Sequence, residues 1–370
     1  MISMESNITI VYNFAQLYRQ PIFELIDKTW KCKWYFGKTS TDIKEMDVSV
    51  LNDVEFVENK NLIGPLQTQK GVGKIIRRKD TSTMLMLGEP MVLSTWWTLI
   101  QRRLFYPKKR VYLWSHGWYG REGLAKKWLK RIFFGLADHV FTYGEYAKNM
   151  AIAQGFDGSK ITPIHNSLNH AGQVALRSKL QPSDIYRSHF KNDFPVLLFV
   201  GRLTAVKRLD LLLLALKELK DQNQIFNLIL IGDGEKRKEL EKMAGELGIL
   251  NQVWFYGACY DDTQNAQLIY DADLCVAPGN VGLTAMHSMV FGTPVLTHDD
   301  FKWQMPEFEA IRPNKTGLFF KKDDVQSLTS AIEDWFENGT EREVTRKACF
   351  DEIDNNWTPE FQLNVLKKYI

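Results

Sequence analysis

Hydrophobic and polar positions fall into their clearest order in the second half of the chain. Residues 196–200 are apolar throughout, as a strand buried on both faces requires. Leu209, Leu212, Leu213, Leu216 and Leu219 then recur at helical spacing. A second apolar run at 228–231 precedes a helix that buries Leu240, Met243, Ala244 and Leu247, and further strands are predicted at 253–256, 274–277 and 294–297. Val325, Leu328, Ile332 and Phe336 mark a last amphipathic helix, with Asp323 and Gln326 at capping-box spacing and Gly339 as its stop. The first half is less regular. Strands at 8–12, 34–36, 83–87, 111–114 and 139–142 alternate with helices at 21–28, 90–104, 123–134 and 145–154, while 37–80 gives no readable pattern. Short β-branched runs alternating with helices predict parallel sheets covered by helices, an α/β fold.

The length, 370 residues, exceeds what one hydrophobic core usually serves. Two domains are predicted, 1–170 and 193–345, joined by a polar linker at 171–192 and followed by a helical segment, 346–370, that packs back on the first domain. A 45% hydrophobic and 25% charged composition is ordinary for a globular chain and argues against disorder. No apolar run approaches the roughly 18 residues of a membrane span. The first seven residues lack a basic region followed by an apolar stretch, so no signal peptide is expected. Cys32, Cys259, Cys275 and Cys349 lack metal-type spacing and read as reduced thiols of a cytoplasmic protein. The net charge of +3 is small, but basic residues cluster in the first half: Lys74, Arg77, Arg78 and Lys79; Arg102, Arg103, Lys108, Lys109 and Arg110; Arg121, Lys126, Lys127, Lys130 and Arg131. That half is expected to present positive potential to an anionic partner. No recognition motif accompanies these groups, which argues against nucleic acid.

In doubly wound sheets, ligands bind beyond the carboxyl ends of the strands. After 196–200 comes Gly201-Arg202, then Lys207 five positions on: two cations that can converge on an anion, with glycine letting backbone approach it. After 228–231 comes Gly232-Asp233-Gly234, a turn lacking the third glycine of a dinucleotide fingerprint. After 274–277 comes Pro278-Gly279-Asn280-Val281-Gly282-Leu283-Thr284, with a helix opening near Gly282 or Leu283 whose free N–H groups form an anion cradle. His287 lies one turn further in, Gly292 ends that helix and Pro294 opens the next strand. No phosphate-loop motif occurs, which argues against nucleoside triphosphate hydrolysis by that route.

These residues resemble the retaining nucleotide-sugar glycosyltransferases of family 4, within glycosyl transferases group 1. That family has the GT-B fold: two Rossmann-like domains with parallel sheets facing across a cleft. Gly201-Arg202 with Lys207 is similar to the family's diphosphate-binding pair, Gly232-Asp233-Gly234 to its second-strand turn, and 253–257 to the segment that meets the base. Gly282-Leu283, Met289, Gly292, Pro294-Val295, Pro306-Glu307 and Gly317-Leu318 extend the match over about 196–340. In the first half it rests on Ser115-His116-Gly117, Ala137-Asp138 and Asn166. The resemblance implies donor binding by Gly201, Gly232, Tyr256, Gly257, Gly279, Asn280, Val281, Gly282, Leu283, Thr284 and His287. It implies that Arg202 and Lys207 stabilise the departing diphosphate and that His116 touches a sugar hydroxyl. One departure stands out. Where the family has two glutamates eight positions apart, this chain has Gly279 and His287. His287 could hold the ribose by hydrogen bonding, whereas Gly279 cannot replace a glutamate's contact with the donor sugar.

The activity so implied is transfer of a hexosyl group from a nucleotide diphosphate sugar to a glycan or lipid-linked acceptor, with retention of configuration, in bacterial cell-surface polysaccharide or lipopolysaccharide synthesis. Neither metal nor cofactor is implied; the nucleotide sugar is a co-substrate. Tyr18 and Arg19, past the first strand, are candidate acceptor contacts. In the helix from Gly123, Leu124, Trp128, Leu129 and Ile132 lie on one side and Lys126, Lys127, Lys130 and Arg131 on the other. Such a helix suits an anionic membrane surface, or equally a core-facing stripe with a solvated back. Two other readings stand beside transfer: a nucleotide-sugar epimerase on the same fold, and a catalytically inactive partner of a transferase.

Overall fold

The computed structural model describes residues 8–38, 44–338 and 340–370. The predicted helix stop at Gly339 and the reading of the first seven residues lie outside these. The chain folds as two compact units, Met1–Asn169 with Thr358–Ile370, and His170–Trp357.

The strands of the first unit are β1 (Ile8–Tyr12), β2 (Lys33–Phe36), β3 (Asp53–Phe56), β4 (Asn59–Asn61), β5 (Gln67–Gln69), β6 (Thr83–Leu87), β7 (Arg110–Ser115), β8 (His139–Thr142) and β9 (Ile161–Pro163). Seven of them form one parallel sheet in the order β3-β2-β1-β6-β7-β8-β9, and β4 and β5 make an antiparallel hairpin. Helices on the sheet bury Phe23, Trp34 and Phe36 on one side and Trp118, Phe133 and Phe134 on the other. The C-terminal helix Pro359–Leu366 belongs to this unit. Gln362 Nε2 donates to the His165 carbonyl at 2.8 Å, and the Tyr112 hydroxyl donates to the Tyr369 carbonyl at 2.6 Å.

The second unit adds β10 (Val196–Val200), β11 (Asn227–Ile231), β12 (Val253–Gly257), β13 (Leu274–Ala277), β14 (Val295–His298) and β15 (Gly317–Phe320). They form a six-stranded parallel sheet in the order β12-β11-β10-β13-β14-β15. The buried leucines of the Leu209–Asp221 helix cover it, as their spacing predicts.

Several expectations are corrected. The polar stretch expected as a linker carries two helices, His170–Arg177 and Ile185–Phe190. They are anchored within the second unit: Arg177 and His170 pair with Asp354, and the buried Tyr186 hydroxyl donates to the Leu268 carbonyl at 2.6 Å. The helix Arg342–Asn356 also stays in the second unit, so only the chain from Thr358 returns to the first. The cap of the Val325–Asn338 helix is Asp324, whose Oδ1 accepts from the Ser327 N–H at 3.0 Å. Asp323 instead adopts a positive φ of 59° and pairs with Arg208. β3, β4, β5, β9 and β15 are strands that patterning does not reveal.

Candidate functional site

In each sheet the chain reverses its direction of growth beside the first strand it laid down, and such switch points open a crevice at the strand ends. In the second unit the switch falls between β10 and β13. The loops leaving those two strands are 201–208 and 278–283, which carry most of the residues singled out by sequence.

Backbone approach decides their conformation. Gly201 and Gly232 have φ of 150° and 143°, and a Cβ on Gly232 would lie 1.9 Å from the Gly201 carbonyl oxygen. The Gly232 N–H donates to the Gly257 carbonyl at 2.8 Å, so the loops after β10, β11 and β12 are in register. Gly279 donates its N–H to the Lys207 carbonyl at 3.0 Å and Asn280 to that of Val206 at 3.3 Å. A Cβ at 279 would lie 2.0 Å from the Val206 oxygen. The missing glutamate is therefore a steric property of this loop: no side chain fits there without moving the 206–207 backbone.

Lys207 Nζ donates to the Asn280 carbonyl at 2.5 Å and stands 3.9 Å from where a Cβ on Gly282 would be. Burial lowers its ammonium below the usual lysine range, and Glu307 partly opposes that. Arg202 is exposed and forms no ion pair among the described residues. The helix opens at Thr284, one or two residues later than the sequence suggests, and spans Thr284–Met289. Its Thr284 hydroxyl is bound to the Val200 carbonyl at 2.8 Å. The N–H groups of Gly282 and Leu283 donate to no acceptor among the described residues. Val281 differs from these: it is fully buried and its N–H goes to Gln304 Oε1 at 2.9 Å, so it anchors the loop rather than offering a donor. Gln304 also donates through Nε2 to the Thr297 hydroxyl at 2.8 Å. Nothing in the sequence pattern marks Gln304, because a buried amide bracing a loop has no periodic signature. His287 is half-buried, and burial lowers its imidazole, so it is neutral near pH 7 and offers one donor and one acceptor. Tyr256 is half-buried beside Trp254 at a ring distance of 5.1 Å.

In the first unit the switch falls between β1 and β6. Here the crevice is filled. Gln69 Nε2 donates to the Tyr12 carbonyl at 3.0 Å and Asn59 Nδ2 to that of Asn13 at 2.7 Å, leaving a cavity of about 20 Å³. The candidate residues gather beside it, over β7 and β8. Arg19 is buried and donates to the Tyr143 hydroxyl, with Tyr18 also against its guanidinium. The His116 ring lies 4.6 Å from that of Tyr143. Burial, with Arg19 and Lys130 nearby, pushes the His116 imidazole down to about 4.

The His116 loop is held by a buried pair that helical spacing misassigns. Lys130, expected on the solvated back of its helix, turns inward to Glu122 at 2.7 Å and to the Gly117 carbonyl at 2.6 Å. Burial alone would raise the Glu122 carboxyl, but Lys130 and the N–H groups of Tyr119 and Gly120 outweigh it and hold it at about 2. The basic groups are likewise thinned: Arg102 is buried against Asp138, which Arg110 also meets. On the same helix as Lys130, Leu124 is 85% and Trp128 67% exposed, and Lys126 and Arg131 are exposed too. The apolar stripe is thus outward-facing, against the core-facing alternative. Among the described residues no three His, Cys, Asp or Glu side chains converge as a metal would require, and no helix is long and apolar enough to cross a membrane.

Part of the chain matches a known family, and solved structures share its fold. Residues 182–350 match the family described as Glycosyl transferases group 1. A solved structure of HepE from Anabaena, in complex with UDP, aligns over 98% of both chains with a TM-score of 0.74 at 18% identity. The apo form of the lipopolysaccharide outer core galactosyltransferase WaaB aligns over 97% of this chain and 98% of its own, with a TM-score of 0.71 at 15% identity. The fold is GT-B. At the sequence level, the GT-B chain is 27% identical over 175 residues to an uncharacterized glycosyltransferase of Methanocaldococcus jannaschii, covering 44% of this chain and 43% of that protein. It spans less than half the length of the curated relatives it first matches, with 28% of the alpha-D-kanosaminyltransferase of Streptomyces kanamyceticus covered at 28% identity over 29% of this chain.

Proposed function

We propose that this GT-B protein is a glycosyltransferase that moves a hexosyl group from a nucleotide diphosphate sugar, with retention and without a metal. The observation that carries this reading is the placing of Lys207 at the β10–β13 switch point. Its ammonium is fixed on the Asn280 carbonyl beside the unused N–H groups of Gly282 and Leu283, with the exposed Arg202 on the same loop. A diphosphate that gains charge as the sugar departs needs such pre-set donors, and they act most strongly where water is excluded. Departing phosphate can itself take the acceptor's proton, so the chain need not supply a glycosidase-like carboxylate pair. His287 is assigned to the ribose and Tyr256 with Gly257 to the base. Tyr18, Arg19 and His116 of the first unit are assigned to the acceptor and the transferred sugar. The UDP complex of HepE, a protein of the same fold, supports a uridine diphosphate donor.

A glycan or lipid-linked acceptor of cell-surface polysaccharide or lipopolysaccharide synthesis fits the outward stripe of Leu124 and Trp128 with Lys126 and Arg131, which suits an anionic membrane surface at the cytoplasmic face. The test is a melting-temperature screen of the full chain against UDP, GDP, ADP and TDP and their sugars, followed by transfer assays with any donor that raises it. A donor that stabilises the chain and is consumed with release of free nucleoside diphosphate supports transfer. A nucleotide sugar converted to another nucleotide sugar would instead mark an epimerase, and binding without turnover an inactive partner.

A further inference from the structure

The first unit holds a positive charge that no carboxylate among the described residues balances. Arg19 is 4% exposed, and a guanidinium stays ionised in any protein interior. Its Cζ lies 5.1 Å from the Tyr143 ring centroid, 5.2 Å from that of Trp114, and 5.4 Å from those of Tyr12 and Tyr18. Nη2 donates to the Tyr143 hydroxyl. Nε and Nη1 are buried with no acceptor among the described residues, and so are Trp114 Nε1 and His116 Nδ1 in the same cluster. Three other buried cations of the chain meet carboxylates: Arg102 meets Asp138, Lys130 meets Glu122 and Arg346 meets Glu343. The titratable groups coupled to Arg19 include the tyrosines Tyr12, Tyr18 and Tyr143 and the His116 imidazole.

Ring faces attract a cation, but they satisfy none of its N–H donors. A buried donor left unmade carries its full desolvation cost, which is greatest for a charged group. Among the described residues the arrangement is therefore incomplete without an anion. A carboxylate or phosphate takes two guanidinium N–H groups side by side, and the indole N–H and an imidazole N–H can serve its remaining lone pairs. Aromatic walls of this kind also suit the apolar face of a sugar ring.

We propose that Arg19, with Trp114 and His116, receives an oxyanion carried by the acceptor sugar. This deepens the acceptor role assigned above to the first unit and rests on it. Neutral acceptors would leave the guanidinium unmatched, so the site selects an acidic or phosphorylated sugar.

The test is thermal unfolding of the full chain in saturating UDP, with glucose, glucuronic acid or glucose 6-phosphate added. At least one anionic sugar is expected to raise the melting temperature while glucose does not, and the response tells carboxylate from phosphate. Arg19→Gln is expected to weaken that response on the order of 10- to 100-fold, the worth of charge-assisted hydrogen bonds, with the shift produced by UDP unchanged. Arg19→Lys keeps the charge without the planar fork and should fall between the two. Without ligand, Arg19→Met should melt at or above wild type, because it removes an unbalanced buried charge. Anionic sugars that act no better than glucose, an unaltered response in Arg19→Gln, or a lower melting temperature of Arg19→Met would each overturn the proposal. An anionic response without any UDP shift would instead overturn the donor reading and leave this one standing.

Discussion

The two units share a topology but use their switch points in opposite ways. In the second unit, the crevice between β10 and β13 is floored by glycines whose backbones touch, and it holds Lys207 beside unused amides. In the first, the crevice between β1 and β6 is filled by Gln69 and Asn59 from the β4–β5 hairpin. The cluster of Arg19 and His116 stands to one side, over β7 and β8. Topology offers a place for a ligand; loop residues decide whether it stays open and what it can hold. A backbone cradle with lysine suits a diphosphate, whereas aromatic rings around a guanidinium suit a sugar that bears an acidic group.

Substitutions can break this division of labour. The largest effect is expected at the second unit: Lys207→Ala or Arg202→Ala should slow transfer roughly 10²- to 10³-fold, as loss of one transition-state donor does. Exposed Arg202 can be lost without altering the melting temperature, so equal rates in both variants and wild type would refute the assigned roles. Next comes the loop that carries His116. Lys130→Met leaves the Glu122 carboxylate buried and unpaired, a destabilisation of about 3 kcal/mol. It should depress transfer while the affinity for nucleotide, measured by titration, stays at the wild-type value. If nucleotide affinity falls as far as transfer, the two regions are not independent.

Gly279→Ala places a methyl group against the Val206 carbonyl and should cost about 1–3 kcal/mol, read by urea unfolding. Gly279→Glu, which installs the family's glutamate, should be worse rather than better for nucleotide binding. A gain in binding would show that the 206–207 backbone yields easily. Acid gives a smaller effect. His116 and His139 titrate at about 4 in the folded chain against 6.5 for a free ring. Their contribution is complete above pH 6.5 and is lost as the pH falls towards 4, because the unfolded chain binds the proton first. The slope is at most about 1.4 kcal/mol per pH unit for each ring. His116→Asn should remove its share, seen as a flatter melting temperature between pH 6.5 and 4. Smallest of all, Trp128→Ser should weaken sedimentation with anionic vesicles roughly tenfold, and neutral vesicles should not bind.

Much of the second unit is legible in the sequence because its strands are buried on both faces and its helices carry regular leucines. The glycine turns and Lys207 follow from position alone, since they stand directly after apolar runs. Less of the first unit is legible. β3, β4 and β5 are short and largely exposed, so they carry no apolar run to find. Lys130 shows the limit of face assignment by helical spacing: its long side chain reaches back past the start of its own helix to the buried carboxylate of Glu122. Arg19 reads in the sequence only as a candidate contact, because burial of a cation among aromatic rings scattered over residues 12–143 is a tertiary property. The absence of glutamates at 279 and 287 is visible in the sequence, but only the carbonyl of Val206 explains why the first position holds glycine.

The central claim concerns where a nucleoside diphosphate binds, and a crystal structure of the chain soaked with UDP tests it most directly. Diphosphate oxygens should lie within hydrogen-bonding distance of the Arg202 guanidinium, the Lys207 ammonium and the N–H groups of Gly282 and Leu283. UDP seated on any other part of the molecule, with those four groups untouched, would contradict the account.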